Sequence, residues 1–190
     1  MNYQQQQFSG PGWDSLQRAM DKSQFVLIGE QHGLAEVPKL TSALAQVFLP
    51  KLYVAEIDPY TALVLERTAK EPGLPIALER SHPFSLSFYS WAEEFELARQ
   101  LSAQKVKIIG LDQVCFLATG RIYAQMARAV KGKAAKRYLQ ERAAALQAHD
   151  IAYFRNPAIG QAAIFQLSAA AIDSLLDITK YEKPYVRKMA

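Results

Sequence analysis

The chain has 190 residues, 50% of them hydrophobic and 21% charged, with a net charge of +4 and one cysteine. That length and composition are ordinary for one globular domain with a sizeable core. Cys115 alone excludes an intrachain disulfide, and no apolar run approaches the ~20 residues that span a bilayer. The basic surplus gathers at Lys131, Lys133, Lys136, Arg137 and Arg142 and again at Lys180, Lys183, Arg187 and Lys188. Without a nucleic-acid motif, these read as a solvated helix face and a solubilising tail, so no nucleic-acid partner is expected.

Residues 1–12 are polar and Gln-rich and read as a flexible lead-in. They lack the apolar core of a signal peptide, which points to the cytoplasm, or to an exported chain whose signal has been removed. Trp13, Leu16, Ala19 and Met20 share a face of a short helix. Phe25-Val-Leu-Ile28 then runs into Gly29-Glu-Gln-His-Gly33. Four consecutive apolar residues predict a parallel strand buried on both faces, with the polar cluster at its C-terminal end, where open α/β sheets bind ligands. Pro38 opens a helix that runs to about Phe48, and Pro50 stops it. Leu52–Ile57 is the second predicted strand, ended by Asp58-Pro59, and Tyr60 to about Lys70 is a helix.

Residues 71–90 hold Pro72, Gly73, Pro75 and Pro83 and show no long periodicity apart from a helical turn at 76–80. A loop of that length is often functional, and this one is the candidate lid. Trp91–Gln104 is an amphipathic helix with Glu93, Glu94 and Glu96 near its front, where acids suit the helix dipole. Val106–Leu111 is the third strand, followed by Asp112. The rest reads as helix, at 122–130, 134–153 and 161–178. The expected fold is therefore α/β and three-layered: a short parallel sheet of at least three strands with flanking helices, in a core over residues 13–115. A helical region over 116–190 packs on or extends that core. So thin a sheet also admits completion by a second copy of the chain, or a chain that is a fragment of a larger domain.

All three predicted strands end in acids: Glu30 with His32, Glu56 followed by Asp58, and Asp112. Charged groups at a sheet core are costly unless paired, hydrogen-bonded or bound to metal, so the set argues for a common site. His32 is suited to act as a general base toward water near neutral pH, with Glu30 or Glu56 fixing its tautomer. The same four residues, Glu30, His32, Glu56 and Asp112, are ordinary ligands for a divalent cation. The plainer alternative for any one of them is helix capping or packing. Around them, Glu36 is a support to the site or a partner of the helix dipole. Arg80 is a candidate contact for an anionic substrate, and His82 is a loop residue able to swing over the site. His149 and Asp150 are adjacent on a helix and do not face each other. There is no P-loop, dinucleotide fingerprint, nucleophile elbow or zinc spacing.

Gly29-Glu30-Gln31-His32-Gly33 after an apolar strand, an acid on the second strand, Trp91 opening a helix and Gly110-Leu-Asp112-Gln113 after the third strand together resemble the erythromycin-esterase-like proteins. These belong to a wider superfamily with ChaN-like haem-uptake and Tiki-type proteins. The resemblance spans about Trp13 to Gln113. It implies a parallel α/β core in which His32 activates water with help from Glu30, and in which Glu56 and Asp112 match further acids. The implied activity is hydrolysis of an ester or related acyl bond in a small molecule, without a cofactor. The alternatives are haem, iron or other metal binding, or a catalytically silent domain. A single residue between Glu30 and His32, where the esterases usually have two, is closer to the haem-uptake and Tiki-type branches.

Overall fold

The computed structural model describes residues 1–4 and 7–190. The elements are β1 (Asn2–Gln4), β2 (Gln7–Ser9), α1 (Pro11–Met20), α2 (Glu36–Phe48), β3 (Leu52–Ala55), α3 (Pro59–Thr68), α4 (Ile76–Ser81), α5 (Ala92–Ala103), β4 (Lys107–Gly110), α6 (Thr119–Ala129), α7 (Lys133–Arg155), α8 (Ala169–Thr179) and α9 (Pro184–Met189). Short 3-10 turns lie at Ser87–Ser90, Pro157–Ile159 and Ala163–Gln166.

The chain is a mixed α/β fold, mostly helical, with a small parallel sheet. β3 and β4 pair in parallel, Leu52 opposite Lys107 through Ala55 opposite Gly110. Burial alternates along both strands. Ala55 and Ile108 pack on α3 and α5, while Leu52 and Val54 are nearly half exposed. One face of the sheet therefore meets helices and the other is largely open. The pairing continues past the ladder, where Asp112 N–H donates to the Ile57 carbonyl at 3.0 Å. Gly110 is obligatory there, because a Cβ would meet the Ile57 carbonyl oxygen and the Asp58 carbonyl oxygen, the latter at 2.6 Å.

Two expectations for the N-terminal part of the chain change. Phe25–Ile28 forms no ladder; Phe25 is 76% exposed and Leu27 96%. Val26 and Ile28 instead lean on a small cluster of Trp13, Met20 and Leu44. An apolar run marks a buried strand only when something covers both faces, and here one face has no cover. The lead-in also differs: Asn2–Gln4 and Gln7–Ser9 pair antiparallel, and Phe8 stacks on Trp13 at 5.4 Å. Residues 5 and 6 lie outside the described residues.

The later helices keep a separate core around Ile122, Met126, Leu139, Leu146, Leu175 and Val186. α6 and α7 approach closely at Gly120, where a Cβ would lie 2.6 Å from the Gln147 backbone. The helix expected over 161–178 is broken: Asp150 accepts from Ala163 N–H as well as Gly120 N–H, and Ser168 caps α8. The two cores are joined by a buried polar link. Arg121, 1% exposed, donates to Thr61 Oγ1, to the Ser85 carbonyl and to Gln125. The Tyr60 hydroxyl donates to the Lys188 carbonyl, and the Gln147 amide donates to that of Ser81. Among the described residues no single helix is long and apolar enough to cross a membrane, although one pair bent by 43°, Pro157–Gln166 with Ala169–Thr179, has the required length and composition.

Candidate functional site

Three of the four residues expected to share a site do converge. Glu30 and His32 arrive on the segment that leads to α2, and Glu56 follows directly on β3. One ligating atom from each lies within 4.8 Å of the others. His32 Nε2 is 3.4 Å from Glu56 Oε2, so the carboxylate partner of the imidazole is the acid of the second strand. The opposite constraint on the ring is aromatic: His32 stacks on Phe88 with centroids 3.4 Å apart and planes 6° apart. Phe88 belongs to a cluster with Phe84 and Trp91, and Phe154 stacks on Phe84. The loop over 71–90 thus contributes to the site through Phe84 and Phe88.

Asp112 stands apart from the trio. Its Oδ1 accepts from Gln113 N–H, and it borders a hollow of about 290 Å³ that Glu56 and Phe88 also border. Asp58 has a different task. It is buried, accepts from the N–H groups of Tyr60 and Thr61 and from the Thr61 hydroxyl, and so caps α3. Glu36 occupies the first turn of α2 and is exposed. Arg80 sits in the last turn of α4 and is exposed, and neither it nor His82 lines the hollow. His82 is half-buried. Burial, reinforced by Arg121 and Arg128, holds its pKa down to about 4, so it is neutral at physiological pH. His149 and Asp150 diverge as expected: His149 Nε2 lies 2.7 Å from the Gln161 carbonyl, while Asp150 turns to buried backbone amides.

Sequence reasoning left out a second group of residues behind Glu30. Glu94, in the first turn of α5, is only 5% exposed, and burial together with Glu30 and Glu93 pushes its carboxyl up to about 7. The Tyr89 hydroxyl donates to that of Tyr53 at 3.3 Å. Burial is the main cause that drives the Tyr53 phenol up to about 12 and the Tyr89 phenol well above its usual value, and Glu30 and Glu94 add to both. The position of Glu94 at a helix front disguised it, since a first-turn acid is ordinarily a solvated dipole partner. The available signal was the helical phase of Glu94, which places it beside the inward Phe95 and Ala98 rather than with Glu93 and Glu96.

Chemically the arrangement offers one imidazole held by a carboxylate, a second carboxylate within reach, and an aromatic wall. One histidine and two carboxylates also form a donor set suited to a divalent cation. Comparison with known proteins adds no name to this geometry: no protein-family model, no curated protein and no solved structure matches the chain.

Proposed function

We propose that the chain is a hydrolase of the erythromycin-esterase-like kind, with His32 as general base and Glu56 as its orienting carboxylate. The observation that carries this reading is the 3.4 Å approach of His32 Nε2 to Glu56 Oε2, with Glu30 alongside. With Nε2–H directed to Glu56, Nδ1 holds the lone pair that takes a proton from water. The water oxygen bonds to the acyl carbon, the bond from that carbon to the alcohol oxygen breaks, and the imidazolium returns its proton to the leaving oxygen. The products are an acid and an alcohol. Glu30 lies beside the reacting pair, and Asp112, on the rim of the hollow that Glu56 also borders, shapes what approaches it.

In the same reading the sheet that supports this site would become three-stranded and three-layered on completion by one further segment. Phe25–Ile28 would add in parallel to the free edge of β3. In support, this segment and Leu52–Val54 both line one groove of about 830 Å³.

A second reading has its own observation. Glu30, His32 and Glu56 place their ligating atoms within 4.8 Å of one another, and only a small contraction would let them hold a divalent cation. Such an ion would polarise an acyl oxygen and acidify a bound water. Haem is less well served: the hollow beside Glu56 lies just below the ~300–1,000 Å³ usual for drug-sized ligands and is small for a porphyrin.

The test is turnover of a panel of chromogenic esters by the wild type, His32→Ala and Glu56→Gln, with and without a chelator. His32→Ala should lose ~10²–10⁴-fold in kcat/KM. Equal turnover by wild type and His32→Ala sinks the mechanism. Activity abolished by chelator and restored by a divalent cation favours the second reading.

A further inference from the structure

We propose that the hollow beside Glu56 is a binding site for a small aromatic ammonium compound, a phenyl ring carrying a short alkylammonium arm. Its walls include four phenyl rings, those of Phe84, Phe88, Phe116 and Phe165. Phe84 and Phe88 meet edge to face at 88° with centroids 6.5 Å apart, and one face of Phe88 is covered by His32. Phe116 and Phe165 are 40% and 67% exposed. Large aromatic side chains around a concave surface, left part-wetted, are in the state that a flat apolar ligand would relieve. A cavity of ~150 Å³ is enough for benzene, so about 290 Å³ admits one ring and a short chain.

Charge decides the class. Glu56 and Asp112 both border the hollow and no lysine or arginine does; His32, outside its lining, reaches Glu56 through Oε2 at 3.4 Å. Both carboxylates are exposed, and the Asp112 contact to Gln113 N–H uses only Oδ1. A ligand that buries a ring among these phenyl groups brings its side arm to two carboxylates. An ammonium is attracted both by them and by the ring faces, whereas a carboxylate is repelled. The backbone adds an independent mark. Phe84 and Ser87, which both border the hollow, have φ of 58° and 56°, a left-handed conformation unusual for non-glycine residues and genuinely rare for a bulky aromatic. Such outliers persist where the surroundings over-determine them and concentrate at ligand-binding sites. At Phe84 the strained backbone presents a ring both to the hollow and to the Trp91–Phe154 cluster.

As a statement about substrates the inference rests on His32 and Glu56 being the reacting pair, and it then assigns esters bearing an aromatic ammonium group. Binding at the hollow does not require His32 to react. The experiment titrates the full chain with 2-phenylethylammonium, 2-phenylethanol and phenylacetate, following heat or Trp91 fluorescence. The ammonium should bind at least tenfold more tightly than phenylacetate, since like charges across a contact are strongly disfavoured. Asp112→Asn should weaken the ammonium about three- to five-fold, as for one solvated ion pair, and leave the alcohol unchanged. Phe116→Ala should weaken both, and Phe116→Leu should restore part of the loss. Circular dichroism confirms that the variants fold. No binding, equal binding of the three probes, or indifference to both Asp112→Asn and Phe116→Ala overturns the assignment. Ammonium binding without ester turnover leaves the hollow standing and removes the hydrolase. Turnover that shows no preference for ammonium esters, with no ammonium binding, does the reverse.

Discussion

Glu94 and His82 pull the pH dependence of stability in opposite directions, and removing either should expose the other. Glu94 has an ordinary carboxyl pKa of 4.5 when unfolded and about 7 when folded, because burial and the neighbouring Glu30 and Glu93 disfavour its charge. The folded chain therefore binds more protons than the unfolded chain between those values, and stability falls as pH rises through that window. His82 goes from 6.5 unfolded to about 4 folded, because burial and then Arg121 and Arg128 disfavour the imidazolium. Here the unfolded chain binds more protons, and stability rises with pH over nearly the same interval. Each shift corresponds to at most about 3–4 kcal/mol, and roughly 1–3 kcal/mol once partial solvation is allowed for. The wild type should thus show a shallow profile, tilted gently downward by Glu79 and Asp150, whose carboxyls burial also raises. The assay is urea unfolding followed by circular dichroism at intervals from about pH 4 to 8. Glu94→Gln should make the chain gain stability as pH rises from about 4 to 6.5, and His82→Asn should make it lose stability from about 4.5 to 7. If Glu94→Gln reproduces the wild-type profile, Glu94 is solvated and the reasoning fails.

Two further substitutions test the frame that carries the site. Gly110→Ala places a methyl group against the Ile57 and Asp58 carbonyls and should lower stability by about 2–3 kcal/mol, read from the shift of the thermal midpoint. An unchanged midpoint would mean that β3 and β4 separate easily at their C-terminal ends. Arg121→Ala strips the buried link between Thr61 and Ser85 and leaves Asp58 without its nearby cation; it should cost about 3–5 kcal/mol in urea unfolding. Arg121→Met combined with Asp58→Asn should cost less than the sum of the two single changes, because neither charge is then left alone.

Much of the chain is legible in its sequence. Pro59 after Asp58 and the apolar phase of residues 91–104 report short-range chemistry, caps and helical periodicity, and the corresponding helices begin and end within a few residues of expectation. Strand composition likewise located β3 and β4 and the acids at their ends. Local rules could not choose a partner for His32. Glu30 is two residues away in sequence, yet Glu56 is the acid that comes within 3.4 Å, because β3 delivers it there from another part of the chain. They also could not separate Asp58, a helix cap, from Glu56, which meets His32, two positions earlier. Nor could they show that Phe25–Ile28 lacks a ladder, since an apolar run looks the same whether or not its faces are covered. Glu94 makes the same point in reverse: an unremarkable first-turn acid becomes a group titrating near neutrality once α5 packs it beside Tyr53, Tyr89 and Glu30. Residue type and spacing alone determined which groups were available for chemistry and where elements start and stop. The tertiary structure decided which of them meet, because distance, burial and field depend on segments far apart in the chain.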